Sequence, residues 1–282
     1  MMQPTSARAV VEQYPSVFFD AYGVLVDGAG AIAGAAAFLT DLRASGQPFY
    51  VLTNDASRLP TTSARRYRDL GLPIDEAQIL TSGSQLKPWF ARENLAQAQC
   101  LVIGPQDTEH YVERAGGRVL DRTRARPEDV DVIVVGDESG FPFVETVDLA
   151  VTAAIVRLDQ GRPAALVCPN PDLIFPKSLG AFGIGAGSIA GIIENALAVR
   201  FIGMRTPQFT YLGKPHPPMF EAGCALAETR EVVMFGDQIS TDIRGANRAG
   251  LASALVSWGL TGTPSGDWAP HDRPTFFVNR WQ

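Results

Sequence analysis

Apolar positions in the first eighty residues fall into short runs separated by amphipathic stretches. Val17 to Asp20 and Phe49 to Thr53 are apolar runs of strand length, and Ile79 to Thr81 is a shorter one. Between them, Ala35 to Ala44 and Ser63 to Leu70 carry apolar residues at helical spacing, the second closed by Gly71. Strands buried on both faces show as continuous apolar runs, so this alternation predicts a parallel sheet covered by helices.

A second alternating set follows. Strands are expected at Cys100–Ile103, Val130–Val135 and Ala164–Val167, with a long helix over Val144–Leu158, then a glycine-rich loop, FGIGAGS, and a helix from Ile189 to Val199. The remainder resumes the first pattern with strand Thr210–Leu212, helix Pro218–Leu226, strand Val232–Phe235, helix Thr241–Ala249 and strand Ala252–Val256. The fold class is therefore α/β. Neither an internal repeat nor a low-complexity tract interrupts the series.

Length and composition narrow the partners. A chain of 282 residues, 46% hydrophobic and 19% charged, can bury one large or two moderate cores. A net charge of -6 and the absence of any Lys/Arg-rich run argue against nucleic acid or an anionic membrane surface as partner. Cys100, Cys168 and Cys224 are too scattered for a zinc site or a disulfide framework. No basic head with an apolar stretch opens the chain, and no run of about 18 apolar residues occurs later, so a cytoplasmic location and no membrane contact are expected.

Chemistry concentrates just past the predicted strand ends, where open parallel sheets place ligand sites. These residues are Asp20 in FFDAYGVLVDG, Thr53-Asn54 in YVLTNDASR, Lys214 in YLGKPHPP, and Asp237 with Asp242 in VVMFGDQISTDI. A carboxylate at a strand tip can act as a nucleophile towards phosphorus. Three carboxylates gathered on one rim repel one another unless a cation joins them, and Mg²⁺ is the usual hard cation beside phosphate. Lys214 and the Thr53 hydroxyl offer a positive charge and a hydrogen-bond donor for phosphoryl oxygens.

The order Asp, Thr-Asn, Gly-Lys-Pro, Gly-Asp-x4-Asp resembles the four motifs of the haloacid-dehalogenase (HAD) superfamily, over essentially the whole chain. The extended first motif GVLVDG with Gly34, the TN doublet with Ser57-Arg58 behind it, and CPNPD in the middle region resemble its NagD-like group, class IIA. The resemblance implies a Rossmann-like core of residues 1–83 and 203–282, with an α/β cap domain inserted over 84–202. It implies a Mg²⁺-dependent phosphatase acting on a small phosphorylated metabolite through an aspartyl-phosphate. Asp20 would be the nucleophile, Thr53 and Asn54 would bind phosphate, and Lys214 would stabilise its charge. Asp20, Asp237 and the Tyr22 main-chain carbonyl would hold the metal, with Asp242 supporting it from behind. Asn170 and Asp172, with the turn Gly185–Ser188, would face the substrate from the cap. Association of copies through the cap is a further family trait.

Two positions depart from that pattern. Family phosphatases carry a second Asp two residues after the first, as acid and then base; Tyr22 stands here, and a phenol is a poor general base at neutral pH. Losing such a group costs about 10²–10⁴-fold in rate. Asp55 replaces a second Asn and either stands in for the missing carboxylate near the substrate or caps the following helix. DAYGVL also resembles the first motif of 2-haloacid dehalogenases, which use no metal, but such an enzyme has no use for Asp237 and Asp242. A slow or non-catalytic phosphate-binding protein is the alternative from another class. The glycine patterns at Gly28–Ala33 and Gly185–Ala190 lack the strand, helix and acidic residue that dinucleotide binding requires, so they are expected to be turns.

Overall fold

The computed structural model describes residues 3–178, 181–262 and 268–282. In chain order the elements are β1 (Pro4–Ser6), α1 (Ala7–Val11), β2 (Ser16–Phe19), α2 (Ala35–Ala44), β3 (Phe49–Thr53), α3 (Pro60–Asp69) and β4 (Ile79–Thr81). Then come α4 (Leu86–Arg92), β5 (Gln99–Ile103), α5 (Gln106–Arg114), β6 (Arg118–Val119), β7 (Val132–Val135), α6 (Phe143–Asp159) and β8 (Ala165–Cys168). A hairpin of β9 (Ile174–Ser178) and β10 (Ala181–Ile184) leads to α7 (Ala186–Arg200) and β11 (Thr210–Tyr211). The chain ends with α8 (Pro217–Ala227), β12 (Val232–Gly236), α9 (Arg244–Arg248), β13 (Ala252–Val256) and β14 (Phe276–Arg280).

Two parallel sheets organise these elements. The first has the order β1-β14-β13-β12-β2-β3-β4 and the second β11-β8-β7-β5-β6. Alternation along β2 sends Val17 and Phe19 into a core under α2, with Phe38 and Leu39, and Phe18 into a core under α8, with Met219 and Phe220. The second sheet is covered likewise, by Ala150 of α6 and Ile189 of α7 on one face and by Trp89 of α4 and Tyr111 of α5 on the other. Leu59, just before α3, packs into this last cluster, so the two sheets share apolar contacts.

The connections from β2 run towards β3 and β4, whereas those from β12 run towards β13 and β14, although β2 and β12 are neighbours. The chain therefore changes direction between β2 and β12, which opens a crevice beyond their carboxyl ends. Both Asp20 and Asp237 follow directly on these strands.

Several expectations need correction. The strand at Thr210 does not return to the first sheet: Thr210 and Tyr211 pair with Val167 and Cys168, although they lie beyond residue 202, where the insert was expected to end. Of the expected FGIGAGS loop, Phe182–Ile184 belong to strand β10, paired with β9, and Ala186–Ser188 to the start of α7. The helix expected over Thr241–Ala249 begins as a wide π-type turn over Ile239–Ile243 and becomes α-helical at Arg244. No helix among the described residues is long and apolar enough to cross a membrane.

Candidate active site

The switch point is built from the sheet upward. The Asp20 N–H donates to the Phe235 carbonyl at 2.8 Å, which carries the β2–β12 pairing one residue past the strand and sets Asp20 beside Asp237. Gly23 leaves the crevice with φ of +81°, and a Cβ built on it would lie 2.1 Å from an Asp237 carboxylate oxygen. Only a glycine permits both the left-handed backbone and that approach. The π-type turn after β12 buries Asp242, whose Oδ2 accepts the Gln238 N–H at 3.2 Å.

Lys214 is 1% exposed, and its Nζ donates to Asp20 Oδ1 at 2.6 Å and to Asp242 Oδ1 at 2.7 Å. Burial works against its charge, but the two carboxylates outweigh that and hold the ammonium protonated well above the ordinary lysine range. Asp237, equally buried, lacks such a partner. Its Oδ2 accepts the Leu260 N–H at 2.7 Å, while its Oδ1 is buried with no hydrogen bond. Burial, followed by the negative fields of Asp20 and Asp242, pushes its carboxyl far up. Burial likewise raises that of Asp20, against the pull of Lys214.

Among the described residues, Asp20, Asp237 and Asp242 each offer a carboxylate oxygen within 4.8 Å of the others. Three carboxylates against one ammonium leave two negative charges in excess, which one divalent cation would balance. An orphaned buried oxygen in an all-oxygen donor set fits a hard cation of the Mg²⁺ or Ca²⁺ kind.

The other expected site residues divide. Thr53 ends β3 with its hydroxyl oxygen accepting the Asp55 N–H at 3.2 Å, so its own proton is free to donate to a ligand. Asn54 is fully engaged: its amide donates to Asp172 Oδ1 at 2.9 Å and the Lys214 carbonyl at 3.0 Å, and its Oδ1 accepts the Lys214 N–H at 2.7 Å. No donor on this side-chain amide remains free for phosphate. Asp55 accepts from the Ser57 N–H and hydroxyl at 2.7 and 2.6 Å and from Arg58 at 2.9 Å, in the turn before α3, and it also lines the cavity described below. The Tyr22 phenol accepts from Arg66 at 2.9 Å, and that guanidinium lies 5.1 Å over its ring.

A cavity of about 160 Å³ joins these groups, lined by Asp20, Tyr22, Thr53 and Asn54 from the first sheet and by Asp137, Ser139, Asn170 and Asp172 from loops of the second. Asn170 accepts the Asp172 N–H at 3.1 Å, which shapes the CPNPD loop, and burial raises the Asp172 carboxyl to about 6. The turn at Gly185 also reaches the cavity. Sequence reading missed Asp137, Arg58 and Phe175 as lining residues. For Asp137 a signal existed: it stands two residues past the apolar run Val132–Val135, the same strand-end position that marked Asp237.

Comparisons with known proteins agree with this geometry. A family model described as haloacid dehalogenase-like hydrolase matches residues 17–118, and a second, HAD-hydrolase-like, matches residues 211–281; together they span more than half the chain. The chain is 29% identical over 266 residues to dihydroxyacetone phosphatase of Corynebacterium glutamicum, covering 94% of this chain and 88% of the relative. It is 27% identical over 270 residues to D-glycerol 3-phosphate phosphatase of Mycobacterium tuberculosis, covering 95% and 70%. A crystal structure of a possible sugar phosphatase of Cytophaga hutchinsonii superposes with a TM-score of 0.81 at 29% identity, over 93% of this chain and 91% of that one. Glycerol phosphate phosphatase of M. tuberculosis, in complex with calcium, gives 0.77 at 26% identity, over 95% and 74%. With the motifs meeting at one switch point and a second α/β sheet entering between Thr53-Asn54 and Lys214, the chain belongs to the haloacid-dehalogenase-like hydrolases, in their NagD-like, class IIA branch.

Proposed function

We propose that this protein is a Mg²⁺-dependent phosphatase that hydrolyses monoesters of a small phosphorylated metabolite through a phosphoryl group carried on Asp20. The observation that supports this best is the buried triad of Asp20, Lys214 and Asp242, with the orphaned Asp237 oxygen beside it and Asp20 lining a cavity large enough for a small ester. Similar proteins named as phosphatases of dihydroxyacetone and glycerol phosphates, and a related structure in complex with magnesium, point the same way. Asp20, Asp237 and the Tyr22 carbonyl would hold the cation, with Asp242 behind; when bound it neutralises phosphoryl charge.

The chain's own groups then have defined tasks. Lys214 holds Asp20 Oδ1, leaving the other carboxylate oxygen for attack on phosphorus, and its ammonium offsets charge as the bond to the leaving oxygen breaks. Thr53 donates its hydroxyl proton to a phosphoryl oxygen. Asn54 positions Lys214 and ties the Asp172 loop to the core. Water then attacks the phosphoryl group, releasing phosphate and restoring the Asp20 carboxylate. We assign the cap to the inserted sheet, with residues 84–202 at its heart and β11 as its edge.

Hydrolysis of 4-nitrophenyl phosphate with and without Mg²⁺ tests the proposal. Turnover should need the cation and fall on the order of 10⁴-fold or more in Asp20→Asn. Thermal stabilisation by Mg²⁺ and phosphate without turnover would instead favour a binding protein, the reading that the phenol of Tyr22 keeps open.

A further inference from the structure

We propose that Asp137 selects the leaving group, accepting hydrogen bonds from the hydroxyls of a polyol phosphate and turning away esters whose leaving group is anionic. This rests on the phosphatase reading above and deepens it. Asp137 follows Gly136 at the carboxyl end of β7, so the second sheet delivers it to the crevice as the first sheet delivers Asp20. It is 8% exposed and lines the cavity that holds Asp20 and Thr53. Its Oδ1 accepts the Ser139 N–H at 3.0 Å and the Ser139 hydroxyl at 2.6 Å. Its Oδ2 receives no hydrogen bond from the described residues. A side chain more than nine-tenths buried, pinned through one oxygen and open at the other, is an acceptor awaiting a donor.

The phosphoryl end of a substrate belongs at Asp20 and Lys214, so the leaving group fills the part of the cavity that Asp137 walls. Among the described lining residues acids outnumber bases: Asp137 is joined by Asp55 and Asp172, while the Arg58 guanidinium is already bound to Asp55 at 2.9 Å. A leaving group with its own carboxylate or phosphate is repelled by the Asp137 carboxylate, whereas a hydroxyl can donate to its open oxygen. The cavity of about 160 Å³ has room for a small polyol phosphate.

The experiment compares kcat/KM on glycerol 3-phosphate, on 3-phosphoglycerate, which puts a carboxylate in the leaving group, and on 4-nitrophenyl phosphate, which has no hydroxyl to donate. Wild type should prefer glycerol 3-phosphate to 3-phosphoglycerate by about 100-fold. In Asp137→Asn, nearly the same in shape but uncharged, kcat/KM on glycerol 3-phosphate should fall about 10- to 100-fold. Activity on 3-phosphoglycerate should rise, so that the preference collapses, and the aryl ester should lose much less than the polyol ester. Ser139→Ala, which only loosens the carboxylate, should shift the preference the same way by a smaller factor and guards against a folding defect in the first variant. An unaltered preference in both variants, or an equal loss on all three esters, would overturn the proposal while leaving the phosphatase reading intact. A wild-type chain inactive on all three would remove that reading and the proposal with it.

Discussion

Position 22 carries a phenol clamped by Arg66 rather than a carboxylate, and its effect on the proposed reaction separates by half-reaction. Attack by Asp20 needs only a leaving group that can depart unprotonated, so aryl phosphates should be cleaved faster than alkyl phosphates, with a burst before slow steady turnover. Tyr22→Asp should raise the steady rate and narrow the aryl–alkyl gap; stopped-flow and steady-state rates that match wild type on every ester would refute this account. Asp237 poses the opposite problem, a buried carboxylate with an unpaired oxygen. Asp237→Asn should raise the melting temperature in the absence of Mg²⁺, since it removes the cost that burial and the neighbouring carboxylates impose on this carboxyl, and should abolish the further rise that Mg²⁺ gives wild type. Calorimetry across a Mg²⁺ titration checks both signs, and an intact Mg²⁺ response in the variant would place the ion elsewhere.

Helix α3 starts at Pro60 with no side chain of its own segment capping it. The cap comes from α5 of the second sheet, where the Asp107 carboxylate accepts the Leu59 N–H at 2.9 Å and the Thr62 hydroxyl at 2.7 Å. Thr108 donates to the Ala56 carbonyl at 2.8 Å and Tyr111 to that of Arg58 at 2.6 Å, so one face of α5 is fastened to the segment between β3 and α3. Removing the cap in Asp107→Ala should cost about 1–2 kcal/mol, read by urea denaturation. Burial pushes the Asp107 carboxyl up, but the Leu59 N–H, the Thr62 hydroxyl and His110 outweigh it and hold it below the ordinary range. A group depressed in the folded state stabilises above its unfolded pKa, and that stability is lost as pH falls through the folded value. The gap between wild type and Asp107→Ala should therefore be full at neutral pH and close below about pH 4. A gap that persists at pH 3 would mean that the loss is one of packing.

Across the whole molecule the two sheets are held by polar and apolar contacts together: Asn54 with Asp172, the α5 bonds, and Leu59 in the cluster of Leu86 and Val102. This coupling predicts one cooperative transition. Unfolding in urea followed by far-ultraviolet circular dichroism and by tryptophan fluorescence should coincide, since Trp89 lies in the second unit and Trp258 and Trp281 in the first. Transitions that separate would show that the units unfold independently.

The hydrophobic pattern was enough to read the central strands and long helices, because a strand buried on both faces must be apolar throughout and a helix against a sheet must repeat at its own period. It was enough, too, for Asp20, Thr53, Lys214, Asp237 and Asp242, since each stands at a fixed offset from such a run. Short or amphipathic elements such as α4, α5, β6 and the β9–β10 hairpin went unread, for their few residues carry too little periodicity. Distant partners were beyond local reading: that Thr210 pairs with Val167, and that the Asn54 amide is spent on Lys214 and Asp172. Hydrogen bonds between residues more than a hundred positions apart leave no mark in either segment alone. Asp137 shows the same limit: its strand-end position is written in the chain, but that it meets Asp20 across one cavity follows only from how the two sheets pack.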